Sequence, residues 1–166
     1  MSLFVDFCQM KHTGGKIMFD RLGFVDKINE FMLLKNFDVE TLANAISVSP
    51  STVYNLLKSR YKQPDTQVFF NLIECFNCSA EYMLGFVEFP TENVTYHPPL
   101  RTYGAKLRTL LKQKGETQKA FIDNMKISSC LAYKWLSDKT LPSVEYLIKI
   151  ADYFEITIDT LIERTK

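Results

Sequence analysis

The chain has 166 residues, 46% of them hydrophobic and 23% charged, with a formal net charge of +1 at pH 7. That length suits one domain or two small ones with ample apolar surface for a core, and no run of about 18 apolar residues offers a membrane span. The N-terminus, MSLFVDFCQMKHTGGK, lacks a basic start, a long apolar run and a small-residue cleavage site, so a secretory signal is not expected.

The first 18 residues carry no helical period and contain Gly14-Gly15, which reads as an N-terminal arm ordered against a partner, or as a disordered tail. From Phe19 the period becomes helical, with Phe24, Ile28, Phe31 and Met32 on one face up to Leu34. Asn36 breaks it. Asp38 is an N-cap for a helix over Val39–Ile46. After Ser47-Val48-Ser49, Pro50 suits the first turn of a helix running to about Lys58. Pro64 and the apolar positions Val68, Phe69, Leu72 and Phe76 mark a further helix. Cys75 and Cys78 spell CxxC, but no second ligand pair lies nearby, so they read as small buried hydrophobes. The four Cys, at 8, 75, 78 and 130, are too scattered for a disulfide framework and suggest a reducing, cytoplasmic setting.

Residues 88–100, EFPTENVTYHPPL, break every period and hold three Pro, which predicts an extended linker. Fully extended, that stretch would reach roughly 40 Å. A helix then starts near Tyr103, turns Leu107, Leu110 and Leu111 inward and closes at Gly115. In Thr117–Leu136, TQKAFIDNMKISSCLAYKWL, Thr117 and Ser128 stand where N-caps belong for two short helices. Phe121, Ile122 and Met125 form the inner stripe of the first, and Leu131, Ala132, Trp135 and Leu136 that of the second. Helices of about two turns are not stable alone. The pair serves to hold the outer face of the second helix at a fixed angle on a small bundle.

The chain repeats itself. At an offset of 79 residues Leu42 falls on Phe121, Ile46 on Met125, Val48 on Ile127, Ser49 on Ser128, Tyr54 on Tyr133 and Leu57 on Leu136. Beyond Lys58 the offset becomes 78, with Pro64 on Pro142, Leu72 on Ile150, Phe76 on Phe154 and Met83 on Leu161. The copies differ in charge: residues 19–89 carry 6 Lys/Arg against 9 Asp/Glu, and residues 100–166 carry 12 against 8. Opposite signs favour two domains with unequal electrostatic roles.

The Thr117–Trp135 stretch resembles the helix-turn-helix of the phage-repressor/Cro (XRE-like) family, through Thr117-Gln118, Phe121-Ile122, Met125, Ile127, Ser128 and Trp135. Its continuation, Pro142, Tyr146, Leu147, Ile150, Ala151, Phe154, Ile156, Ile158 and Leu161, is similar to that family's fourth and fifth helices. Two positions depart from the pattern: Lys126 replaces the turn Gly, and Ile122 replaces a small residue. The resemblance implies an all-α chain of two lambda-repressor-like five-helix domains, 19–87 and 101–166. It implies recognition helices at 50–58 and 129–137 that enter the major groove of double-stranded DNA.

The outer helix faces supply the candidate DNA contacts. In the first copy these are Ser49, Pro50, Ser51, Tyr54 and Asn55, with Lys58, Arg60 and Lys62 as phosphate holders. In the second they are Thr117, Gln118, Ser128, Ser129, Cys130, Tyr133 and Lys134, with Lys139 for phosphate. Gln118 occupies the place where the family bridges a phosphate, whereas the first copy has Val39 there, between Asp38 and Glu40. The second copy is therefore the expected stronger reader.

The expected function is a sequence-specific transcriptional regulator, a repressor of bacterial, phage or mobile-element type. It would act as a built-in pseudo-dimer or as half of a four-headed homodimer. The alternative is a protein–protein interaction module that keeps the fold without reading DNA. No Gly-rich phosphate loop, paired-carboxylate motif or metal-ligand spacing points to an enzyme, a cofactor, a metal or a small-molecule ligand.

Overall fold

The structure, a computed structural model, describes residues 19–58, 63–90 and 94–165; the expected N-terminal arm, Arg60 and Lys62 lie outside them. The described residues form helices and connections with no strand. The first five helices are α1 (Arg21–Lys35), α2 (Val39–Ala45), α3 (Pro50–Leu57), α4 (Thr66–Phe76) and α5 (Ala80–Met83). The second five are α6 (Gly104–Lys114), α7 (Gln118–Met125), α8 (Ser129–Leu136), α9 (Val144–Phe154) and α10 (Ile158–Leu161). Helices α3 and α8 each end one residue earlier than expected, because Lys58 and Ser137 are their C-caps. Among the described residues no helix is long and apolar enough to cross a membrane.

Local chemistry sets these boundaries. Each of the side chains of Asp38, Ser49 and Ser79 accepts a backbone N–H of the helix it precedes. Thr117, Ser128 and Thr157 do the same at the matching places of the second half. The chain reversals also match. Asn36 and Gly115, Ser47 and Lys126, Asn77 and Glu155, and Gly85 and Glu163 all have positive φ, and every pair obeys the 79- or 78-residue offset. The sequence repeat is thus a repeat of backbone conformation.

Lys126 stands at φ 53° directly after α7, where its N–H donates to the Asp123 carbonyl (3.2 Å). A left-handed conformation costs a residue with a Cβ about 1 kcal/mol relative to glycine. Lys126→Gly is therefore expected to stabilise the chain by about that amount, raising Tm by roughly 2–4 °C. An unchanged or lower Tm would show that the lysine side chain supplies compensating contacts.

The buried apolar residues of both halves belong to one core. Phe24, Ile28, Leu42, Val53, Phe69 and Leu72 fill the first side, and Leu107, Phe121, Trp135, Leu147 and Ile150 the second. The halves meet where α5 packs on α10. Ala80, Tyr82 and Met83 of α5 and Ile158 and Leu161 of α10 are all buried there. Residues 94–100 form no helix and run along this joint: the His97 N–H donates to the Arg164 carbonyl (2.9 Å) and the Leu100 N–H to the Ile162 carbonyl (2.8 Å).

Arg164, only 1% exposed, closes the joint. Its guanidinium donates to the carbonyls of Cys78, Ile73 (3.0 Å) and His97 (3.2 Å), pairs with Asp159 (3.4 Å) and lies 4.6 Å from the centre of the Tyr96 ring. Cys78 is buried beside it, and burial pushes its thiol up to about 12; Cys75 is half-buried and its thiol is raised for the same reason.

Candidate nucleic-acid interface

Helices α3 and α8 each have two faces. In α3, Val53 and Leu56 are buried; in α8, Ala132, Trp135 and Leu136 are. The opposite faces are open. Pro50, Ser51, Tyr54 and Lys58 of the first half are exposed, and Asn55 is half-buried. In the second half Thr117, Gln118, Ser129, Cys130, Tyr133, Lys134 and Lys139 are all exposed. Tyr54 and Tyr133 are conspicuous, being 52% and 58% exposed despite their large rings.

Each of these tyrosines carries a lysine. The Lys58 ammonium stands 5.9 Å from the centre of the Tyr54 ring, and that of Lys139 4.9 Å from Tyr133. The attraction of an ammonium for a ring face holds a flexible cation beside a phenol. The outcome in both halves is a positive charge held at an exposed tyrosine ring beside the end of a short helix. That pairing suits a phosphate oxygen, which accepts from ammonium and phenol alike.

The cap residues have a second task. The Leu131 N–H donates to Ser128 Oγ (3.2 Å), the Ala120 N–H to Thr117 Oγ1 (3.1 Å) and the Thr52 N–H to Ser49 Oγ (3.2 Å). These three hydroxyls fix the helix starts; those of Thr117 and Ser128 retain a proton to donate outward, whereas Ser49 Oγ shares a hydrogen bond with Thr52 Oγ1 (3.0 Å).

The second half is the more developed of the two. A groove of about 520 Å³ opens between α6, α7 and α8, lined by Arg108, Gln118, Ile122, Ser129, Tyr133 and Ser137 among others. It gathers three sequence-predicted residues, Gln118, Ser129 and Tyr133, around a fourth that sequence reasoning missed, Arg108. One Arg108 nitrogen donates to the Leu136 carbonyl (2.6 Å), which ties α6 to the end of α8. The remaining guanidinium donors give the groove an anion-binding capacity. At the 79-residue offset the first half has Asn29, Val39 and Pro50 in place of Arg108, Gln118 and Ser129.

Close packing holds α8 against α6. A Cβ on Gly104 would lie 2.7 Å from the Leu136 carbonyl carbon, so this position admits only glycine without movement. The Asp138 carboxylate accepts the backbone N–H groups of Tyr103 and Gly104 (2.6 Å for the latter) at the start of α6. Its negative charge is therefore matched to a helix N-terminus.

The first half keeps an opposing charge. Hydrogen bonds from Thr41 hold the exposed Asp38 carboxyl below its ordinary range, so it stays ionised at the start of α2. The equivalent position in the second half is the neutral Thr117. Electrostatics rank the two faces in the same order as the hydrogen-bonding groups do.

No protein-family model, curated protein or solved structure matches this chain.

Proposed function

We propose that this chain is a sequence-specific DNA-binding transcriptional regulator, a repressor resembling the bacterial, phage or mobile-element type, working in the cytoplasm. On this reading α2–α3 and α7–α8 are helix-turn-helix units within two lambda-repressor-like domains. Helices α3 and α8 lie in the major groove of double-stranded DNA. The observation that carries the reading is the recurrence, in both halves, of a short helix with one buried face and an outward tyrosine beside a lysine. Gln118, Arg108, Lys139 and Tyr133 hold phosphates, and Ser129, Cys130 and Lys134 face base edges. Pro50, Ser51, Tyr54 and Asn55 do the same for the first half with weaker backbone support.

Binding to the chain's own upstream DNA, followed by gel shift at two salt concentrations with unrelated competitor, tests this. A specific complex survives competitor and weakens with salt, because phosphate contacts release counterions. Tyr133→Ala with Lys134→Ala should lower affinity by roughly 10- to 100-fold and reduce the salt slope by about 1. Tyr54→Ala with Asn55→Ala should cost less. Equal or reversed losses would refute the ranking, and a shift abolished by any competitor would count against specific binding.

The second reading, a protein-interaction module, draws on α1, whose Leu22, Leu33 and Leu34 are 66%, 83% and 73% exposed. Capture of a partner that DNA does not compete away would select it.

A further inference from the structure

We infer that a single copy of this chain covers a DNA site of two unlike half-sites in inverted orientation, α3 over one and α8 over the other. This rests on the DNA-binding reading above and adds to it the stoichiometry and the symmetry of the target.

The contacts between the halves are reciprocal. At the 78-residue offset Ala80 corresponds to Ile158 and Glu81 to Asp159. The Ala80 N–H donates to both oxygens of the Asp159 carboxylate (3.1 and 3.2 Å), and the Ile158 N–H donates to the Glu81 carboxylate. Residue i of one half therefore meets residue j of the other, and the reverse also holds. That is the mark of a twofold contact; halves related by translation would pair unlike surfaces.

A second pair of equivalent segments also meets at the joint. Thr66 Oγ1 donates to the Pro142 carbonyl (2.7 Å), and the Glu145 N–H donates to Gln63 Oε1 (2.9 Å). Residues 63–67 overlay 141–145 in the repeat, Pro64 on Pro142. The reciprocal contact of α5 with α10, together with the meeting of the equivalent starts of α4 and α9, places an approximate twofold axis between the halves. Helices α3 and α8 are equivalent elements, so the same axis relates them. Duplex DNA has dyads perpendicular to its length, and heads related by a twofold meet half-sites in inverted order.

The axis is approximate, and its departures matter. Arg164 fills the joint from one side only, since its counterpart is Phe86. The outward residues differ as well: Pro50, Ser51 and Asn55 stand where Ser129, Cys130 and Lys134 do. Unlike faces select unlike base sequences, so the target is not a true palindrome. Because α5 and α10 already cover one another within the chain, that surface is closed to a second copy.

Selection of the full-length chain on a library of random duplexes, followed by native mass spectrometry on the winning sequence, decides the matter. The expected result is a two-part motif with unlike halves in inverted order and one chain per duplex. Reversing one half-site to make a direct repeat should weaken binding by more than roughly tenfold. A winning direct repeat, a lone half-site of full affinity, or two chains on a symmetric palindrome would each overturn the inference while leaving DNA binding intact. A library with no enriched sequence would instead refute the DNA-binding reading, and this inference with it.

Discussion

Replacing Arg164 by Met is expected to destabilise the chain by about 3–5 kcal/mol, the usual cost of removing one partner from a buried charge cluster. The guanidinium is 1% exposed and is matched to Asp159, itself 4% exposed. It also donates to carbonyls on both sides of the joint, Ile73 (3.0 Å) and Cys78 in one half and His97 (3.2 Å) in the connection. Methionine fills similar space but removes those hydrogen bonds and leaves the Asp159 carboxylate without its cation. The loss corresponds to a fall in Tm of roughly 6–20 °C for a chain of this size. Arg164→Lys keeps the charge but not the planar fork, so it should recover only part of it. Because Arg164 bridges the halves, urea unfolding of the Met variant should lose its single cooperative step and split or broaden. A Met variant within about 1 kcal/mol of the parent, still unfolding in one step, would mean that apolar packing alone joins the halves.

The sequence disclosed the helices because the signals that make them are local. Asp38, Ser49, Thr117 and Ser128 stand one residue before their helices and cap them. Of the inner stripe that helical spacing marks on α8, Ala132, Trp135 and Leu136 are buried and Leu131 is half-buried. The repeat was legible because equivalent positions need similar side chains, and it extended further than composition suggested: Ser47 and Lys126 share a positive φ despite having no chemical likeness.

Residues whose partners are far along the chain were not legible. Arg108 reads as one more surface charge on α6 until the Leu136 carbonyl, 28 residues away, is brought beside it. Arg164 counts toward the positive balance of the second half, yet it is internal and contributes nothing to a surface field. Asp138 reads as an acid beside the α8 lysines, whereas it accepts the N–H groups that open α6. Glu81 and Asp159 stand in the first turns of two short helices, and each meets the N-terminus of the other half's helix. Periodicity reports which face of a helix is inward; it carries no information about which other face it meets.

Stability should fall as pH rises from about 5 to 8, and Glu81→Gln should remove much of that fall. Burial, reinforced by the neighbouring Asp159 carboxylate, pushes Glu81 up to about 8 from an ordinary 4.5. Asp159 is raised too, by burial that outweighs the Arg164 charge. A hydrogen bond between the two carboxyls needs a proton, and burial raises both groups so that the pair keeps one. The folded chain therefore keeps a proton that the unfolded chain releases above pH 4.5. The associated stability is fully present below that value and is lost as pH rises through the folded value near 8. The total is a few kcal/mol, at about 1.4 kcal/mol per unit.

Glu30 acts in the opposite sense. Its hydrogen bond from Lys27 holds it below the ordinary carboxylate range, so its contribution is lost on acidification below that range. The pH series is therefore best run from 5.5 upward, where Glu30 is already ionised. Gln at position 81 still offers an oxygen to the Ile158 N–H and an N–H to Asp159, with no proton to lose. Urea titrations at pH 5.5, 7 and 8.5 should give a declining stability for the parent and a nearly level one for Glu81→Gln. The variant should be the more stable protein at pH 8.5. Parallel pH profiles for the two would show that the proton is not held at the joint between the halves.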